Sequence, residues 1–371
     1  MWKEILIGLL LLISIKNIRS FKWATIDWCI LGYILLHLIY ALYQTTILDI
    51  SMSQTIWGLR TNLEMFLIFW SIRLIPISKD QIKTLIKIII VSTTISLVFG
   101  IFQLFMTCEQ LQIFGYTPYI SSWVADKPLP CGHAVGASLQ TIRVMGTFSG
   151  PNQLASFLLL TIGLLIVSLQ QKYIRKNTAI ILLVIHSTFL ILTLARGALL
   201  GGLIAVCLGI YSLNKNTYKK YLPYIITLIS VGIIFIGGMA ITRPTSTQEH
   251  IEKPLLGIER VIEHPFGIGV GKAGPVSLRF PPDGSEGKIS ENWYIQIAEE
   301  IGIIGLILLI IILFLFLQKG LNNQDPLFKM LTYVTIALMI NSLFLHTLAN
   351  DMITSITLFL LFALAWKPKH P

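Results

Sequence analysis

The sequence predicts an all-α polytopic membrane protein, a single integral membrane domain over residues 1–371, on three observations. The chain is 54% hydrophobic and only 12% charged, with a mean hydropathy of +0.76, far too apolar for a soluble domain of this size. Its apolar runs are long and continuous rather than alternating, so helices and not barrel strands satisfy the backbone in hydrocarbon. Most of its 28 Lys and Arg residues fall in short connections on one side of those runs, the pattern of a cytoplasmic face.

Runs long enough to cross a bilayer lie at 3–16, 23–44, 55–73, 84–106, 152–170, 178–195, 198–213, 222–241, 292–317, 330–348 and 352–366, about eleven in all. The first is short and lacks the small-residue cleavage site of a signal peptide, so it is expected to stay as a helix. Lys16 and Lys22, Lys79 to Lys87, Lys172 to Lys176, Lys215 to Lys220, Lys319, Lys329 and Lys367 mark one side as cytoplasmic. The C-terminus is then inside. Eleven spans place the N-terminus outside, with two long extracytoplasmic loops at 107–151 and 242–291. The net charge of +10 is therefore topological, and no basic stripe with interleaved aromatics marks a nucleic-acid partner. Cys108 and Cys131 share one outside loop, where they either form a disulfide or stand as free thiols.

Chemistry is expected in those loops. Pro254 to Pro265 carries Leu255, Ile258 and Ile262 on one face, with Glu259, Arg260 and Glu263 on the other. This predicts a short interfacial helix bracketed by prolines, lying as a lid on the membrane. The run Phe266–Gly271 that follows is either a place where backbone amides approach an anion or a flexible turn, and no βαβ context makes it a dinucleotide fold. Ser290 is expected to cap the next span, with Glu291 in its first turn. Glu291 there serves either the helix dipole or a reaction, as a carboxylate able to take a proton from a hydroxyl. Glu299 and Glu300 lie farther along the same helix, either in a functional pathway or bonded to a neighbouring helix or the lid. Arg196 sits where two apolar spans meet with almost no loop, Arg143 precedes another span, and Arg260 and Arg279 lie in the long loop. Guanidinium groups in such number beside a carboxylate suit a lipid-linked phosphate or pyrophosphate.

Four stretches resemble the superfamily of O-antigen ligases and polymerases, WaaL and Wzy, in order and in topology. They are Arg143-Val-Met-Gly-Thr-Phe-Ser-Gly-Pro-Asn152, Leu194-Ala-Arg196-Gly-Ala, Glu263-His264-Pro265 with the glycines to Gly271, and Glu291-Asn292-Trp-Tyr294 through Glu300-Ile-Gly302. The resemblance implies a GT-C-like helical glycosyltransferase that needs no metal or cofactor. Its donor would be a glycan on undecaprenyl pyrophosphate, and its acceptor a hydroxyl on another glycan or lipid. The resemblance gives Arg196 the leaving pyrophosphate and Glu291 the acceptor's proton. It sets Arg143, Asn152, Arg260, His264, Arg279, Asn292 and Tyr294 against the substrate, with Glu300 and Gly302 in support. Ligases typically carry histidine before the asparagine. Glu291 in its place leans the reading towards repeat-unit polymerisation, with ligation to a lipid A core or protein as the alternative and a chain-length regulator as a possible partner. A lipid-linked sugar flippase is the competing class; it would need an intramembrane charge pathway and internal repeats, and only Arg60, Glu64, Glu299 and Glu300 qualify.

Overall fold

The computed structural model describes residues 2–18, 21–47, 50–114, 134–135, 141–211, 222–223, 226–227, 229–232, 234, 236–238, 241, 244–281, 287–350 and 352–366. Helices account for nearly all of them: α1 (Trp2–Ile15), α2 (Thr25–Thr46), α3 (Met52–Leu74), α4 (Lys79–Gln103), α5 (Cys108–Ile113), α6 (Pro151–Gln170), α7 (Lys176–Leu192), α8 (Arg196–Tyr211), α9 (Pro244–Glu263), α10 (Gly274–Arg279), α11 (Trp293–Leu321), α12 (Pro326–Asn341), α13 (Thr347–Asn350) and α14 (Met352–Trp366). A two-residue antiparallel pair, β1 (Ala134–Val135) with β2 (Thr141–Ile142), is the exception. The chain forms two compact units, one of Met1–Ser78, Thr245–Thr335 and Ser342–Pro371, the other of Lys79–Pro244 and Ile336–Asn341.

Among the described residues, α2, α4, α6 and α11 are long and apolar enough to cross a membrane, and α7, α8, α12 and α14 are shorter apolar helices. Each lies within about five residues of a run read from the sequence, except that α12 ends at Asn341, short of the end of the 330–348 run, where the chain turns. The 222–241 run falls partly, and Cys131 wholly, outside the described residues. The outward faces suit a lipid solvent: Ile88, Val91, Ile95 and Val98 on α4, and Ile303, Ile307, Ile310 and Phe314 on α11, are all exposed at helical spacing.

In the first unit α3 packs against α1, α2 and α14, and α11 runs along α2. Tyr33, Phe66, Phe69, Phe316, Phe359 and Phe362 fill the centre, with neighbouring rings 4.8–5.2 Å apart and mostly edge to face, the geometry the aromatic quadrupole prefers. Helix α3 is less apolar than α2, α4, α6 and α11 because it carries Arg60, Asn62, Glu64 and Arg73, and each is matched. Arg60 pairs with Glu4 at 2.5 Å and Glu64 at 3.2 Å, and Arg73 pairs with the buried Asp27. Such pairing is what makes ionisable groups tolerable in an apolar bundle.

In the second unit α6 is mostly buried and packs on α4, α7 and α8. The lead-in to α6 is pinned to α4: Gln103 Oε1 accepts from the amides of Met145 and Gly146, and Ser96 Oγ accepts from that of Thr147 at 3.0 Å.

Candidate functional site

Helix α11 is the scaffold of the first unit's site, and it is broken. Ile301 and Gly302 leave helical geometry, Gly302 with φ 75° and ψ 179°, a region essentially reserved for glycine. The segment after α9 threads this break. Ile268 N donates to Glu299 O at 2.7 Å, Gly269 N to Glu300 O at 3.0 Å, and Ile303 N to Pro265 O at 3.0 Å. A Cβ on Gly267 would stand 2.6 Å from Glu300 O. The glycine-rich run is thus neither a flexible turn nor an open anion cradle. The amides of Ile268, Gly269 and Val270 are taken up by α11 and by Gln44 of α2, and its glycines permit close backbone approach.

Two polar clusters line this scaffold. In the deeper one, the buried Glu300 accepts from Asn62 Nδ2 at 2.6 Å and Gln296 Nε2 at 3.2 Å. Glu299, also buried, takes Arg260 Nε at 2.5 Å. Both glutamates therefore bond a neighbouring helix or the lid, one of the two roles the sequence left open, and Arg260 enters the site through Glu299. Asn62 was not singled out from sequence, since one asparagine in an apolar run carries no pattern.

The second cluster sits at the N-terminal end of α11. Ser290 does not cap the helix; Asn292 does, its Oδ1 accepting from the amides of Tyr294 and Ile295 at 3.0 and 3.1 Å while its Nδ2 donates to Leu343 O. The correction follows from geometry. An N-cap residue needs extended backbone and a side-chain acceptor two or three residues ahead, which Asn292 provides at φ −144°. Glu291 accordingly lies outside the first turn, in the left-handed region at φ 49°, a conformation that costs a non-glycine residue energy and clusters at functional sites. Its carboxylate meets Lys253 Nζ at 2.6 Å and His250 Nδ1 at 2.6 Å, the latter off the line of a hydrogen bond. Burial pushes this carboxyl up, but His250 and Lys253 outweigh burial and hold it at about 2. Lys253 loses by burial and regains more from Glu291 and Glu249, so its ammonium is held above the ordinary range.

These partners come from a helix longer than expected. Helix α9 begins at Pro244 and runs through Pro254 instead of starting there. Proline removes one backbone donor from a helix interior, and the turns ahead of it are held in place by Lys253 and His250 on Glu291. The stripe Leu255, Ile258 and Ile262 stays exposed, as an interfacial helix requires. His264, at the end of α9, is exposed. Exposed Arg279 on α10 lies 4.1 Å over the Trp57 ring, and half-buried Tyr294 stands beside Trp293.

In the second unit, Arg143 donates from Nε to Thr193 O at 2.6 Å and from Nη2 to Asn152 Oδ1 at 2.7 Å. Arg143 and Asn152 are thereby brought to the turn leading to half-buried Arg196, the first residue of α8. Leu194 in that turn has φ 51°. Two of the three non-glycine residues with positive φ among those described, Leu194 and Glu291, thus adjoin or are predicted site residues, while Lys172 lies in an unrelated turn.

The chain is similar to an O-antigen polymerase. That relative, from Salmonella muenchen, is 26% identical over 276 residues, covering 70% of this chain and 67% of its own length. No family model matches. An O-antigen polymerase is the relative that the Arg143–Gly305 resemblance leads one to expect, and it supports the polymerase side of that resemblance.

Proposed function

We propose that this chain is a polymerase-type glycosyltransferase of the bacterial cytoplasmic membrane, with about eleven spans in a GT-C-like arrangement and its reacting groups facing the periplasm or cell exterior. It moves a glycan from undecaprenyl pyrophosphate to a hydroxyl of an acceptor glycan. The observation that carries this reading is Glu291: a carboxylate held in left-handed backbone at the mouth of a broken apolar helix, in a chain similar to an O-antigen polymerase.

In the reaction the acceptor oxygen forms a bond to the anomeric carbon as the bond from that carbon to the pyrophosphate oxygen breaks. The electron pair leaves with the pyrophosphate. Arg196 stabilises that charge through fixed guanidinium donors, a contribution that preorganised electrostatics makes large and that needs no metal. Glu291 stabilises the positive charge that develops as the acceptor hydroxyl gives up its proton. Remote contacts from Arg279, His264 and Tyr294 place the sugars.

Purified protein incubated with an undecaprenyl-pyrophosphate-linked repeat unit is expected to yield longer lipid-linked chains. Unchanged lipid with folded protein refutes the polymerase, and a single addition to a lipid A core acceptor instead identifies a ligase. Glu291→Gln is expected to abolish transfer and retain lipid binding. Arg196→Ala is expected to weaken donor binding, and an unaltered apparent affinity contradicts its role.

A further inference from the structure

The turn after α12 closes over the Glu291 cluster. Trp293 N donates to Ser342 O at 3.0 Å and Asn292 Nδ2 donates to Leu343 O at 3.0 Å, tying residues 342–346 to the start of α11. At the end of this turn, outside either flanking helix, lies His346, 6% exposed. Neither of its ring nitrogens has a hydrogen-bond partner among the described residues. The other buried histidines, His37 and His186, each place Nδ1 on the backbone oxygen four residues earlier, the ordinary resting state of a histidine in a helix. A buried polar ring with no partner loses about 1–3 kcal/mol of desolvation with no return, and such a group calls for an explanation in function.

Burial lowers the basicity of the ring and keeps it neutral, and the charged groups whose fields reach it are Glu291 and Lys253, in opposite senses; His250 pairs with the same carboxylate. Glu291, clamped by Lys253 and His250, is a poor resting place for a proton at neutral pH. His250 is already engaged with that carboxylate. His346 has a lone pair uncommitted and an anion nearby to stabilise an imidazolium.

We propose that His346 is the group that takes the acceptor hydroxyl's proton, with Glu291 stabilising the imidazolium so formed. This rests on the glycosyl-transfer reading above and names its base. As the acceptor oxygen bonds to the anomeric carbon, its proton passes to a ring nitrogen of His346. The pyrophosphate departs with the electron pair of the broken bond, and the imidazolium later returns its proton to water. The division of labour is that of a carboxylate–histidine couple, in which the carboxylate orients and stabilises and the imidazole carries the proton. Lys253 keeps Glu291 ionised for that role.

The test uses full-length protein, an undecaprenyl-pyrophosphate-linked repeat unit, chain lengthening measured from pH 3 to 8 because burial lowers the His346 imidazole to about 4, and donor binding measured separately. His346→Gln is expected to lower transfer about 10²–10⁴-fold, leave donor binding unchanged, and erase the acidic limb of the pH–rate profile. His346→Gly is expected to be equally slow and to regain activity when free imidazole is added, a recovery that a structural role would not produce. Transfer by His346→Gln within threefold of wild type overturns the assignment, as does a slow variant that keeps the acidic limb and ignores imidazole. If wild type itself lengthens no chains, the polymerase reading fails and the His346 assignment fails with it. If wild type and His346→Gln lengthen chains alike, only the assignment fails.

Discussion

Replacing Gly302 by Ala probes the break in α11 that holds both carboxylate clusters in place. At φ 75° and ψ 179° an L-residue is strained by about 1–3 kcal/mol. The added Cβ would also stand 2.7 Å from Pro265 O and from the carbonyl carbon of Phe266; both are backbone atoms and cannot rotate away. Relief requires residues 265–269 to separate from 299–303, which threatens three hydrogen bonds of 2.7–3.0 Å, each with a net contribution of about 0.5–1.5 kcal/mol. Strain with partial loss of that ladder amounts to about 2–5 kcal/mol. At roughly 2 °C per kcal/mol for a large domain, the thermal midpoint in detergent is expected to fall by about 4–10 °C, and transfer to fall with it as Glu300 and Glu291 shift. Gly8, in α1, is the control: a Cβ there meets nothing within 4 Å, so Gly8→Ala is expected to leave the midpoint unchanged or slightly raised. A Gly302→Ala midpoint within 1 °C of wild type would show that the break is not under backbone control and refute the reasoning.

Two further outcomes are expected. Because Glu291 is held at about 2, below the ordinary 4.5, its ionised form adds stability that is fully present above about pH 4.5 and drains away as pH falls towards 2; thermal melts should show that loss in wild type, and a Glu291→Gln protein with the same acid slope would contradict the ion-pair account. Arg260→Ala strands the buried Glu299 and is expected to cost about 3–5 kcal/mol, much of it recovered in Arg260→Ala/Glu299→Gln; strictly additive melting shifts across that cycle would deny the coupling.

The helices were legible because lipid as solvent leaves the backbone little choice. An apolar run of sufficient length must satisfy its own amides, so the Pro151 and Trp293 helices begin within a residue of the runs that predict them. Arg143, Arg196, Glu291 and Glu300 could be singled out by type and position, since a charged group next to an apolar run is rare enough to carry information. The continuation of α9 through Pro254 was not legible. Local rules place proline at a helix start, and the earlier turns combine the local pairs Glu249–Lys253 and Gln248–Glu252 with contacts from Lys253 and His250 to the distant Glu291.

What the sequence by itself determined is thus where the long apolar helices fall and the residue types near their ends, because both follow from the short-range requirement that each backbone group be hydrogen-bonded in an apolar medium. What only the tertiary structure decided is the state of those residues. Asn292 rather than Ser290 caps α11; Glu291 stands outside the helix between Lys253 and His250; Asn62 meets Glu300; and His346 is buried without a partner. Each depends on which side chains are brought within about 3 Å of one another, a distance set by packing between segments far apart in the chain and invisible in any local pattern.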